Sequence, residues 1–175
     1  ADADPRVKAI VPMSAVIRAE LQRDERSGPN AGFTQEQLEQ IIVPVMLIGG
    51  TQDFDVFLEN NRIGFSEINN APVVYQLDII GANHTHFANV CDIGNLLIGL
   101  GIMQDTWPAI GAEDLLEPYA MTCTPDAFSI DEAFRLQNLF TVSFFRRHLL
   151  DDMRYDAYLT PEAAAEEPAA VLRVK

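Results

Sequence analysis

Two short turns in this sequence carry side chains suited to acid–base chemistry. The first, G-G-T-Q-D, ends in Asp53, and the second, G-A-N-H-T-H-F, holds His84 and His86. A carboxylate can accept a hydrogen bond from an imidazole, fix its tautomer and stabilise its charged form. An imidazole titrates near neutrality, so it can take up a proton and return it at ordinary pH. Together, Asp53 and His84 would supply the acid and base of a Ser-His-Asp constellation, in the chain order acid before histidine that one class of such sites uses.

Each of these residues has a plainer use. Asp53 can cap the helix that follows it, and Asp55, two residues on, is a rival acid and the better cap. His84 taken alone could be an ordinary surface histidine. With His86 it makes an H-x-H pair, a spacing also found among metal ligands. A metal needs further ligands to converge, and His148 is the only other histidine. The metal-dependent hydrolase therefore stands as an alternative below the acid–base reading, and no metal or other cofactor is expected. No G-x-S-x-G occurs, so a standard nucleophile elbow is missing. Ser14 precedes Asp53 and His84 in the right order, but Pro12 and Val16 stand where an elbow needs very small residues. Met13 and Ser14 are instead expected to line a substrate pocket.

The elements that would have to position these groups follow from hydropathy. Val43–Ile48 and Val73–Ile80 are short apolar runs rich in β-branched residues, each ending in one of the two turns. Separated by a helix-length segment, they predict a parallel βαβ unit buried on both faces, an α/β arrangement. Reactive side chains in such sheets lie just past the carboxyl ends of the strands. Apolar spacing over Asp55–Ile68 predicts the crossover helix. Upstream, Arg6–Pro12 reads as a strand, Ser14–Arg23 as a helix and Asp24–Gly32 as a polar loop. Thr34 with Gln37 forms a capping box for a short helix. Phe87–Leu100 reads as a buried helix behind the histidine turn, and Gly101–Asp126 as a long irregular segment. Ser129–Leu150 is the clearest helix, with Ser129 and Glu132 as its capping box and an apolar face of Ile130, Ala133, Phe134, Leu136, Phe140, Phe144 and Leu149. Residues 1–150 are expected to form the domain, and the Ala/Glu/Pro-rich residues 151–175 a loosely held tail.

The 175 residues suffice for one domain with a real core, and the hydrophobic share of 48% against 22% charged is globular. The formal net charge of −14 disfavours nucleic acid and anionic membranes as partners, because both require a basic face. No run of eighteen apolar residues is present to span a bilayer. No signal peptide opens the sequence, and a mature exported protein would lack one in any case. Cys91 and Cys123 are the two cysteines. They can bridge or remain buried thiols; the bridge is favoured, and with it a secreted or periplasmic protein.

Taken together, DPRVKAIVPMSAV, VPVMLIGGTQD, GANHTHFANVC and FTVSFFRRHLLDDMRYDAYLTPE resemble the C-terminal half of an α/β-hydrolase of the dienelactone-hydrolase-like and platelet-activating-factor-acetylhydrolase-like esterases, with polyester-degrading cutinase-like enzymes more distant. The resemblance implies that Asp53 is the triad acid and His84 the triad histidine, and it gives His86 no role. It implies a carboxylic ester, small or polymeric, as substrate. It places the nucleophilic serine, with the first strands, on an N-terminal segment before Ala1 or on a partner chain carrying that half. A noncatalytic remnant serving as a binding or assembly module is the other outcome such a sequence allows.

Overall fold

A computed structural model describes residues 4–18 and 32–175. Its centre is a three-stranded sheet of β1 (Val45–Gly50), β2 (Val74–Ile79) and β3 (Ala170–Val174), in the order β1-β2-β3. β1 and β2 pair in parallel, Val45 opposite Val74 through Gly50 opposite Ile79, as the two apolar runs predict. Both strands are buried along their whole length; β1 is apolar throughout, while β2 buries Gln76 and Asp78 on one face, with Gln76 Nε2 donating to Asp78 Oδ1 at 2.8 Å.

Side-chain parity sorts the core into two layers. Met46 and Ile48 of β1, with Tyr75, Leu77 and Ile79 of β2, face Leu136, Phe140 and Phe144 of the long helix α5 (Ile130–Leu150). Val45, Leu47 and Val74 face the other way, against Ile17, Leu38 and Ile68. On this side the short helix α1 (Gln35–Glu39) and the crossover helix α2 (Glu59–Glu67) cover the strands. The Thr34 capping box is formed in both directions, with Gln37 N–H donating to Thr34 Oγ1 at 3.3 Å and Thr34 N–H to Gln37 Oε1 at 2.9 Å. Ser129 caps α5 by accepting from Glu132 N–H at 3.3 Å. The Glu132 carboxylate turns outward instead to pair with Arg135 at 2.7 Å.

Residues 10–14 run beside β1 as a further parallel segment. Ile10 N–H donates to Pro44 O, Met46 N–H to Ile10 O, Ile48 N–H to Pro12 O and Ser14 N–H to Ile48 O. The helix expected over Ser14–Arg23 is absent from Ser14–Arg18, because Asn60 Oδ1 accepts from the Ile17 and Arg18 N–H groups at 2.8 and 2.9 Å and holds that backbone outside a helix. The rest of that expectation, and most of the Asp24–Gly32 loop, lie outside the described residues.

Three further expectations need correction. The tail beyond Asp151 is not loosely held: it makes a 3₁₀ turn (Met153–Tyr158), the short helix α6 (Pro161–Ala164) and β3. β3 pairs antiparallel with the free edge of β2, and its Ala170 and Leu172 join the core while Val171 and Arg173 face outward. The helix behind the histidine turn, α3 (Val90–Gly99), buries only Cys91 and Gly94, and Ile93, Leu96 and Leu100 stand exposed. The segment 101–126, expected to be irregular, coils into 3₁₀ turns at Gln104–Ile110 and Glu113–Leu115 and then α4 (Leu116–Thr122). Its anchor is Trp107, fully buried, with its indole N–H on Ile102 O at 3.0 Å and its ring edge-on to Tyr119.

Cys91 on α3 and Cys123 at the end of α4 form a disulfide, with Cα atoms 5.5 Å apart. Closing a loop of this size removes about 3–4 kcal/mol of chain entropy from the unfolded state. Reduction is therefore expected to lower stability by about that amount. Denaturation with and without a phosphine reductant checks this; equal midpoints would show that α3 and α4 hold together without the bond. Among the described residues no helix is long and apolar enough to cross a membrane.

Candidate functional site

The two turns leave adjacent parallel strands at the same end of the sheet, and backbone bonds stitch them together. Thr51 N–H donates to Ile79 O, Gln52 N–H to Ala82 O at 2.9 Å, and Gly81 N–H to Thr51 Oγ1 at 3.0 Å. Glycine is required at position 50, because a Cβ there would run into the Ala82 carbonyl. Gly81 has φ +86°, a left-handed conformation that reverses the chain after β2.

This stitching brings Asp53 Oδ2 to 3.1 Å from His84 Nδ1. Asp53 is 3% exposed, whereas His84 is half-buried. The Asp53 carboxylate is held at both oxygens. Oδ1 accepts the backbone N–H groups of Asp55 at 3.0 Å and Val56 at 2.7 Å and so braces the turn after β1; neither Asp53 nor Asp55 caps a helix, because α2 begins only at Glu59 with Leu58 as its N-cap and no side-chain cap. Oδ2 takes both the His84 ring and the hydroxyl of Ser14, which lie next to each other. Burial alone would raise the Asp53 pKa, but the hydrogen bonds from His84, Ser14 and Val56 outweigh it, and the carboxyl lies below its ordinary range. The hydrogen bond to Asp53 raises the His84 pKa; burial opposes it, and the charges of Asp53 and Asp55 add to it.

The sign of the linkage follows. A histidine raised on folding stabilises the folded state fully below its unfolded value, and that stabilisation is lost as pH rises through the folded value. Asp53, lowered on folding, contributes above its unfolded value and loses that contribution as pH falls through the folded one. Following the His84 ring by NMR is expected to give a midpoint above 6.5. A midpoint at or below 6.5 would show that burial, not Asp53, governs the ring.

Ser14 is buried, and its backbone has φ 46°, a strained value for a non-glycine residue. Its Oγ also lies 3.1 Å from His84 Nδ1, the nitrogen that faces Asp53. A serine activated for attack must meet the other nitrogen, Nε2, while the acid holds Nδ1. Ser14 is thus placed to fix the carboxylate. Among the described residues nothing bonds His84 Nε2. Neither Met13 nor Ser14, expected to touch substrate, lines the cavity at His84. Met13 is 36% exposed beside β1, and Ser14 is turned inward by Asp53.

His86 is occupied elsewhere. Its Nδ1 accepts from Asn83 N–H at 3.0 Å and its Nε2 lies 2.8 Å from Phe128 O, so both nitrogens are engaged and the H-x-H pair offers no joint metal site. His148, in the last turn of α5, packs against Tyr75 of β2. Asp53, Asp55 and His84 do bring potential ligand atoms within 4.8 Å of one another. A cation there would have to displace donors already on Asp53.

His84 opens on a cavity of about 750 Å³. Asn83, Thr85, Gln52 and Phe54 line it on the side of the two turns, and Pro118 and Met121 of α4 line it opposite. Four carboxylates, Asp55, Glu113, Asp114 and Glu117, complete the wall. The residues from the 113–121 segment had no individual signal in the sequence. Their one trace is compositional: between Arg62 and Arg135 there is no lysine or arginine. The disulfide fastens this wall to α3 beside the histidine turn, and Thr85 Oγ1 meets Thr122 Oγ1 at the same place. Comparison with protein-family models and with curated proteins finds no match for this chain.

Proposed function

We propose that this chain supplies the acid and base of a serine-type carboxylic ester hydrolase of the α/β-hydrolase kind. The single observation that carries the reading is the Asp53–His84 pair, Oδ2 to Nδ1 at 3.1 Å, at the ends of adjacent parallel strands. In this reading His84 Nε2 takes the proton of an attacking serine and returns it to the leaving alcohol, and Asp53 stabilises the imidazolium between those steps. The raised His84 pKa suits a base that must hold a proton in the intermediate.

The serine comes from a segment outside this sequence, as the N-terminal half of the same hydrolase or a partner chain carrying it. Ser14 is the serine bonded to His84 among the described residues, and it meets the wrong nitrogen. Two features favour such a partner at the outer side of residues 10–14. That segment pairs with β1 on one edge only among the described residues. Beside it lies an apolar hollow of about 430 Å³ walled by Pro12, Ile17, Phe33, Leu38 and Leu47. The disulfide suits a secreted or periplasmic location.

Labelling the active preparation with a fluorophosphonate and mapping the adduct tests the reading. The label is expected on a serine outside this chain and is expected to vanish with His84→Ala. Undiminished labelling of that variant, or an adduct on Ser14, would overturn it.

A further inference from the structure

Ser14 occupies a backbone position that does not suit its type. Its φ of 46° lies in the left-handed region, where glycine is at ease and a Cβ is crowded. The chain turns there at the end of its pairing with β1, where Ser14 N–H donates to Ile48 O at 2.8 Å and Met13 lies parallel to Ile48. What serine has over glycine at this turn is a hydroxyl, and it is buried.

One proton decides what that hydroxyl does. The Asp53 carboxylate can only accept, so the Ser14 O–H points to Oδ2. The lone pairs of Oγ then remain for His84 Nδ1, 3.1 Å away. Nδ1 is also 3.1 Å from Asp53 Oδ2, so its N–H is shared between two acceptors that are themselves bonded to each other. In such a closed set each bond polarises and strengthens the next. The half-exposed imidazole has no other polar anchor among the described residues, since nothing bonds its Nε2. A single acceptor would leave the ring free to swing about the line from Nδ1 to Oδ2. The second acceptor, off that line, removes the freedom.

We propose that Ser14 is the positioning residue of the base: its hydroxyl, donating to Asp53 Oδ2 and accepting from His84 Nδ1–H, holds the imidazole in the orientation that leaves Nε2 open. The proposal rests on the hydrolase reading for the word base, but the hold on the ring stands or falls separately. Ser14 itself forms no bond to substrate.

The test compares Ser14→Ala with Ser14→Gly in the active preparation, by urea unfolding, steady-state kinetics and NMR measurement of solvent exchange at the His84 Nδ1 proton. Both changes remove the hydroxyl, but only Ser14→Gly also suits the backbone, so it is expected to unfold at the higher urea midpoint. Despite that difference, both are expected to exchange the Nδ1 proton about tenfold or more faster than the parent and to lose about tenfold to a hundredfold in kcat, with KM within about twofold. Should Ser14→Ala fail to fold, Ser14→Gly alone carries the comparison. Unchanged exchange in Ser14→Gly would overturn the proposal whatever the labelling experiment shows. A raised KM at unchanged kcat would do the same, by making Ser14 a substrate contact. So would a kcat that follows stability, near the parent in Ser14→Gly and far below it in Ser14→Ala, because the backbone and not the hydroxyl would then be the cause. Faster exchange in a preparation that takes no serine label would keep the hold of Ser14 on the ring and remove the hydrolase. A serine label lost in His84→Ala together with unchanged exchange would leave the hydrolase standing and remove only the part given to Ser14.

Discussion

Asp53→Asn is expected to lower kcat for ester hydrolysis by about 10⁴-fold with little change in fold. The size follows from how the replacement must sit. Asp53 Oδ1 accepts two backbone N–H groups, from Asp55 and Val56. In asparagine only the carbonyl oxygen can accept, so that oxygen keeps this position and the NH₂ group is turned toward His84 and Ser14. A donor then faces Nδ1, which must accept, and the neutral ring carries its proton on Nε2. The nitrogen that should take the serine's proton is already protonated. The variant also loses the hydrogen bond and charge that raise the His84 pKa, so the ring should titrate lower than in the parent. Steady-state kinetics of the active preparation with the ring's ¹⁵N shifts would measure both. Activity within tenfold of the parent would mean that Asp53 only braces the turn after β1.

Phe144→Ala is expected to cost about 3–5 kcal/mol of folding stability. That is a large share of the roughly 5–15 kcal/mol a domain possesses. Phe144 is fully buried where α5 meets β2, edge-on to Tyr75 and Phe145 and 4.9 Å from the His148 ring. Removing it leaves a hole between helix and sheet that neither rigid element can close. A second readout comes from His148, whose pKa is lowered by burial and then by the Arg147 charge. Hydrating the hole should move that pKa back up. Urea unfolding measures the first effect and NMR titration of His148 the second. A loss below about 1 kcal/mol would show that α5 collapses onto the sheet to fill the space.

What could be read in advance was whatever the chain encodes locally. β1 and β2 announced themselves as apolar runs ending in glycine turns, and α5 and the Thr34 cap by period and capping residues. Asp53 and His84 were legible because a turn after a buried strand fixes where its side chain emerges. The part played by Ser14 was not, since it depends on a strand register between segments far apart in sequence. Composition misled over α3: an apolar helix is expected inside, and nothing local tells which of its faces meets protein. The Ala- and Glu-rich run before β3 favours helix or loose chain. A five-residue strand becomes visible only once the β2 edge is there to receive it.

That late partner has a consequence for synthesis. β2 can zip onto β1 as soon as both have left the ribosome, but its other edge must wait until residues 80–169 have been translated and β3 appears. At cellular elongation rates the wait is about 5–20 s. Throughout it an apolar strand shows bare amide and carbonyl groups to neighbouring nascent chains. The order of events in translation therefore makes this edge the place where misassembly would begin.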